Sequence, residues 1–377
     1  MNDRIDRTLV FAGCLNRPIP HFTSANGNGI AVFSLDEISG RLSFLAEFTD
    51  IDNPTYLAVV QERRMLYATS ELIDSPEGFI SAVRIDAANG ALTLVGQRQR
   101  TRGRLTAWCA TDARGEVALV ANYARERPDD EPRRHVASFS ILADGTLTSV
   151  TSEFTHEGRG PRDDRQSVPH AHCAVPSPDN RFVIVADLGT DELTTYRLDQ
   201  PRRALGPANT APLKLAPGSG PRHLTFHSNG AIAYVICELA NAIDRLAYDR
   251  DTGELRWLER TDMLPAGAMP SFAAGLVASA NGRQLYASLR GEDSVITYAL
   301  EEGSGRIVGA SPSPSGGKTP RSIALSPSGK FLLVANQDSD LLASWRLDPR
   351  TGIPLEQADS VRVGTPMCVQ AATFRTK

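Results

Sequence analysis

No apolar run in this chain approaches the roughly 18 residues that a membrane-spanning helix requires. The opening segment, MNDRIDRTLVFAG, is charged and leads straight into a strand-like run. It has no apolar signal-peptide core and no small-residue cleavage site, so a cytoplasmic protein is expected. An excess of one charge is missing too: 40 Lys and Arg stand against 44 Asp and Glu, for a net charge of −4. That balance argues against a general affinity for nucleic acid or for an anionic membrane. Cysteine is scarce and scattered. Cys14, Cys109, Cys173, Cys237 and Cys368 are odd in number and never close in sequence, which excludes zinc and redox spacings. Each lies in an apolar segment, where cysteine behaves as a small buried hydrophobe. Helical periodicity is nowhere sustained. A GxSxG elbow, an HExxH helix and a phosphate-cradling glycine loop are all absent, and GSGPRH (218–223) opens a strand instead. Asp187, Asp191 and Asp293 lack the spacing of a calcium loop.

What the chain has instead is a phrase repeated down its length. The clearest copies begin PHAHCAVPSPDNRFVIVADLGTDELTTYRLD, GPRHLTFHSNGAIAYVICELANAIDRLAYD, SFAAGLVASANGRQLYASLRGEDSVITYAL and TPRSIALSPSGKFLLVANQDSDLLASWRLD. A period of about fifty residues with about four short strands per copy is the signature of a propeller blade. Each copy turns at Pro178-Asp179-Asn180, Ser228-Asn229-Gly230, Asn281-Gly282 or Pro327-Ser328-Gly329, where Gly or Asn supplies the positive φ of a tight hairpin. A continuous apolar run follows, as in Phe182–Ala186 or Phe331–Ala335, which fits a strand buried on both faces. The next strand alternates, and a turn such as Asp251-Thr252-Gly253 or Arg350-Thr351-Gly352 leads to the outer one. TLVFAGC near the N-terminus resembles a second strand lacking a first, and VGTPMCVQAATF near the C-terminus a first strand lacking a second. Pairing them closes the ring and removes the open sheet edges. The expected fold is therefore all-β: one seven-bladed β-propeller domain over 1–377, four antiparallel strands per blade, with the termini sharing a blade. Two stretches interrupt the repeat, Ala124–His135 and His156–Val168. Each is readable as a surface loop or as a cover over one mouth of the ring.

The repeat makes equivalent positions comparable. The innermost strands begin with Thr55, Ala107, His172, Arg222, Ala274, Arg321 and Met367. The next strands end with Glu71, Tyr123, Leu188, Glu238, Arg290 and Gln337. Because neighbouring strands run antiparallel, both sets belong to the same end of the channel. His172, Arg222, Arg321, Glu238, Arg290 and Gln337 should gather at one mouth, with Glu71 at the equivalent place in blade two. His170, two residues before His172, should face the same way along a strand; a structural hydrogen-bonding role is the alternative for it. Guanidinium groups around a small cavity bind carboxylate or phosphate or steady an oxyanion, and a Glu and a His offer an acid and a base. The plainer reading is a set of interblade ion pairs. A ring so rich in arginine does not welcome a divalent cation.

At these residues the chain resembles a known family. PHAH, GPRH, CELAN, LRGEDS and PRSIALSPSGKFLLVANQDSD are similar to segments of the seven-bladed propeller lactonases, which include bacterial 6-phosphogluconolactonases and fungal carboxymuconate lactonizing enzymes. The resemblance spans nearly the whole chain. It implies a metal-independent site without cofactor at the channel mouth, acting on a small anionic lactone or muconate, with His172, Arg222, Glu238 and Arg290 as catalytic residues. His170, Arg321, Gln337 and Glu71 are then candidates for substrate binding. Hydrolysis of a sugar-acid lactone is the leading expectation. A cycloisomerase acting on a carboxylated muconate is the alternative, and a non-enzymatic interaction scaffold is a second.

Overall fold

Seven antiparallel sheets follow one another around a central channel. The computed structural model describes residues 6–22, 24–123, 133–265 and 267–375; most of the Ala124–His135 interruption lies outside them. Blade four is representative, with strands Ala171–Pro176, Phe182–Asp187, Glu192–Asp199 and Ala204–Pro207 running from the channel outward. The innermost strands touch in blade order and the last returns to the first, so the ring is closed. Closure happens as the end segments predict. Pro366–Arg375 is the innermost strand of blade one and pairs antiparallel with Asp6–Cys14, followed outward by Ile30–Leu35 and Leu42–Phe48.

Burial follows the sequence pattern. Second strands such as Phe182–Asp187, Ile232–Cys237 and Phe331–Asn336 are buried at every position, because a neighbouring blade covers each face. The outer strands Leu255–Asp262 and Pro354–Arg362 are exposed or part-exposed at nearly every position. All five cysteines are buried and free. The tight turns take the positive φ expected of them, with Asn180 at 57° and Gly230 at 68°. The outer turns do a second job between blades. Tyr286 of blade six donates its hydroxyl to the carbonyl of Gly352 in blade seven at 2.9 Å, and Tyr67 of blade two does the same to Gly145 of blade three at 3.0 Å. A Cβ on Gly352 would sit 2.6 Å from the Tyr286 oxygen, so glycine is required there for packing as well as for its φ of 72°.

Two recurrent devices aim side chains into the channel. The first is a β-bulge at the start of the innermost strand. In blade four Ala171 pairs with Asp187 and Cys173 with Ala186, leaving His172 as the extra residue. Arg222, Arg321, Ala107 and Met367 are skipped in the same way in their blades. A bulge re-aims the side chain it leaves unpaired, and in these five blades it sets one residue apart at the channel end of the innermost strand. The second device is an aspartate in the left-handed region after the second strand. Asp191, Asp293 and Asp340, with φ of 57°, 54° and 51°, each accept the backbone N–H of the residue two before the bulge of the next blade, Gly220, Thr319 or Thr365, at 2.7 Å. Asp191 and Asp293 are thus interblade latches, in keeping with their lack of calcium-loop spacing.

Candidate active site

The bulge residues and the ends of the second strands meet at one mouth, around a cavity of about 440 Å³. Its lining includes Glu71, His172, Glu238, Arg290, Arg321 and Gln337, six of the eight residues singled out in the sequence. At its heart is Glu238, 4% exposed. Its N–H donates to Gly220 O at 2.8 Å, which fixes the backbone, and its carboxylate meets three guanidinium groups. Arg165 Nη2 reaches Oε1 at 2.5 Å, Arg290 Nη2 reaches Oε2 at 2.8 Å, and Arg222 Nε lies 3.0 Å from Oε2. The last contact is an ion pair whose N–H is not aligned for a hydrogen bond. Burial works against the Glu238 charge, but Arg290, Arg165 and Arg222 hold the carboxyl well below its usual range. Glu238 is therefore a fixed anion that organises cations, and a weak base.

His172 has the opposite character. Burial, then the Arg222 charge, pushes its imidazole well below 6.5, so it is neutral at ordinary pH. Its Nδ1 is buried and meets no protein partner. Glu71 is buried as well, and burial raises its carboxyl against the opposing pull of Arg321. Arg321 rests on the Phe22 ring, 4.8 Å from its centroid, and among the described residues it forms no hydrogen bond or ion pair. Burial, with Arg290 next in importance, brings it down to about 10, so it stays charged. Gln337 donates to Asp338 Oδ1 at 2.8 Å and keeps its own buried Oε1 without a partner.

Two of the eight residues do not reach the cavity surface, and for His170 the structural hydrogen-bonding alternative holds. Arg222 does not line the cavity. It is 2% exposed, donates from Nη1 to Ala274 O at 2.7 Å, and forms part of the floor beneath His172 and Glu238. His170 does not line it either. Its backbone N–H donates to Asp187 Oδ1 at 2.7 Å, its Nδ1 lies 2.6 Å from Tyr123 O, and its ring stacks behind Tyr123. The two-residue alternation failed because His170 precedes the strand and the bulge at His172 breaks the register. Other lining residues were missed. Arg165 comes from the His156–Val168 interruption, which is anchored by the fully buried Gln166 donating to Leu188 O at 2.9 Å and Asp191 Oδ1 at 2.8 Å. Phe22 and Phe272 supply apolar walls, and Phe272 lies under both Arg165 and Arg290 at 5.7 and 5.8 Å. Only the charge within an interruption of the repeat signalled Arg165. From the lining residues Tyr123 and His172 a chain of ring contacts leads on through His223 and Trp108 to Tyr56.

Comparison with known proteins agrees with this architecture. A family model described as "Lactonase, 7-bladed beta-propeller" matches residues 18–371. The chain belongs to the seven-bladed β-propeller lactonase family. Among its relatives, a 6-phosphogluconolactonase of Bacillus subtilis is 30% identical over 350 residues, covering 93% of this chain and 96% of the relative. One from Formosa agariphila is 31% identical over 329 residues, covering 86% and 90%. Among solved structures, the periplasmic gluconolactonase PpgL of Pseudomonas aeruginosa superposes with a TM-score of 0.86 at 31% identity, covering 97% of this chain and 99% of that one. This lactonase propeller has no helix among its described residues long and apolar enough to cross a membrane.

Proposed function

We propose that the protein hydrolyses a small anionic sugar-acid lactone at this mouth, with 6-phosphogluconolactone as the first substrate to test. The observation that carries the reading is Glu238 holding Arg165 and Arg290 at the wall of a cavity that also presents a neutral His172 and an unpaired Arg321. Arg321 takes the substrate's phosphate. Arg290 and Arg165, fixed in place by Glu238, face the carbonyl and stabilise the oxyanion, a contribution of about 3–4 kcal/mol per donor. His172 accepts a proton as water attacks the carbonyl carbon, a gain of about 10²–10⁴-fold for a positioned base. The tetrahedral intermediate collapses with cleavage of the bond to the ring oxygen. That oxygen takes the proton back from His172, leaving the open-chain acid.

The arginines supply the positive charge for this scheme, so the reaction is proposed to need no metal. Relatives named 6-phosphogluconolactonase and a structural neighbour named gluconolactonase support hydrolysis over cyclisation of a muconate. The test is proton release from phosphorylated and unphosphorylated gluconolactones, with and without a chelator, beside loss of diene absorbance from carboxymuconate. Hydrolysis that survives the chelator is expected. No turnover of any lactone, or diene loss alone, rejects the reading.

A further inference from the structure

Beneath the cavity lies a second, far smaller space of about 10 Å³, bordered by Thr55, Glu71, His172, Arg222 and Arg321 among others. It has room for one water molecule. Glu71 Oε2, His172 Nδ1 and Arg222 Nε are buried without a hydrogen-bond partner in the protein, Arg222 Nε keeping only its ion pair with Glu238, and the Thr55 hydroxyl lies beside the Glu71 carboxyl. Buried polar groups are almost always satisfied, by ordered water where the protein does not serve. These residues all border one space of about the size of a single water.

Glu71 and His172 border this floor space and the cavity above it alike. We infer that Glu71 is joined to His172 through a single water in the channel floor, and that this link sets the tautomer of the catalytic imidazole. In that arrangement Nδ1–H of His172 donates to the water and the water donates to Glu71. The other ring nitrogen is then left with its lone pair free for the proton of the attacking water. When His172 becomes an imidazolium, the charge is steadied by the Glu71 carboxylate through the same water, and no proton leaves the pair. Glu71 is thus a positioning residue that acts through His172, and the inference rests on the lactonase reading for its kinetic consequence alone.

The surrounding charges are compatible with such a couple. Arg321 and Arg222 face Glu71. Arg222, Glu238 and Arg321 face His172, and Tyr123 and His223 meet its ring edge-on. Burial draws the Glu71 carboxyl up against the pull of Arg321, while burial and then Arg222 press the His172 imidazole down.

The test combines a spectrum with kinetics. In Glu71→Gln, the ¹⁵N resonances of His172 are expected to shift towards a mixed or reversed tautomer. Turnover should fall at least about tenfold while KM changes less than about threefold, and Glu71→Asp should recover part of it. Thr55→Val removes one partner of the water while leaving both acid and base in place; it should move the same resonances by less. A wild-type His172 spectrum in both variants overturns the inference whatever the activity, as does a high-resolution crystal structure with no ordered water between the two side chains. Failure of the wild-type protein to hydrolyse any lactone rejects the lactonase reading separately, since the spectra are recorded without substrate.

Discussion

Two buried carboxylates, Asp187 and Glu238, each take a partner from the His156–Val168 segment, and they are used in opposite ways. Asp187, at the end of the second strand of blade four, is fully satisfied. Its Oδ1 accepts backbone N–H groups from His170, Gly189 and Thr190 at 2.7, 2.9 and 3.2 Å, and its Oδ2 meets His156 Nδ1 at 2.7 Å. The other nitrogen of His156 lies 3.0 Å from the Tyr196 hydroxyl. Glu238, in the blade beside it, has only side-chain cations for partners, and they reach it from three separate parts of the chain. Around Asp187 the hydrogen bonds close on themselves. Around Glu238 they stop at a cavity, beside His172, Glu71 and Gln337 with unmatched polar atoms. A charge tied to backbone holds a fold together, whereas a charge tied to side-chain cations beside orphaned groups holds a binding site in readiness.

The contrast is sharpest in the expected consequences of removing each charge. Glu238→Gln should lower lactonase turnover by at least two decades, because it frees Arg165 and Arg290 from their common anchor, and it leaves three cations facing one another. Arg290→Ala should cost about as much through loss of an oxyanion donor. Full activity in both variants, measured as kcat/KM on folded protein, would break the comparison at its catalytic end. Next in size, Arg321→Ala should raise KM about tenfold or more for a phosphorylated lactone and less than about threefold for the unphosphorylated one; equal effects would remove Arg321 from phosphate binding.

At the structural end, Asp187→Asn should cost about 1.5–3 kcal/mol, the range for a hydrogen bond to a charged group. The His156 contact and the backbone N–H groups outweigh the burial that opposes the charge, so its carboxyl is depressed. Its contribution is therefore complete above the unfolded value of about 4 and is lost as pH falls below it. The melting-temperature gap between wild type and Asp187→Asn should accordingly narrow towards pH 3, and a gap that widens there contradicts the assignment. The His172 imidazole is depressed too, so kcat/KM should hold level as pH drops through 6.5 and fall only at lower pH; an inflection near 6.5 would exclude His172 as the base. Smallest of all, Tyr196→Phe should remove about 1 kcal/mol of stability and leave kcat/KM unaltered.

Much of this molecule could be read from the chain before folding it. The repeat specified seven blades, the turn residues and the split closure, because each strand and turn is a local decision about periodicity and φ, made again in every copy. Alignment of the copies also selected Glu71, His172, Glu238, Arg290, Arg321 and Gln337, since position within a repeat unit maps onto position around the ring. Three things depended on tertiary structure. The bulges at His172, Arg222 and Arg321 are register slips between strands, and they put His170 behind Tyr123 where alternation had put it at the mouth. Arg222 falls to the floor because burial depth depends on what the neighbouring blades place above it. Arg165 reaches Glu238 across 73 residues of sequence, from a loop that belongs to no repeat. Local pattern determined the ring and the positions that face its axis; long-range packing decided which of those side chains touch the cavity, which support it, and which charges they meet.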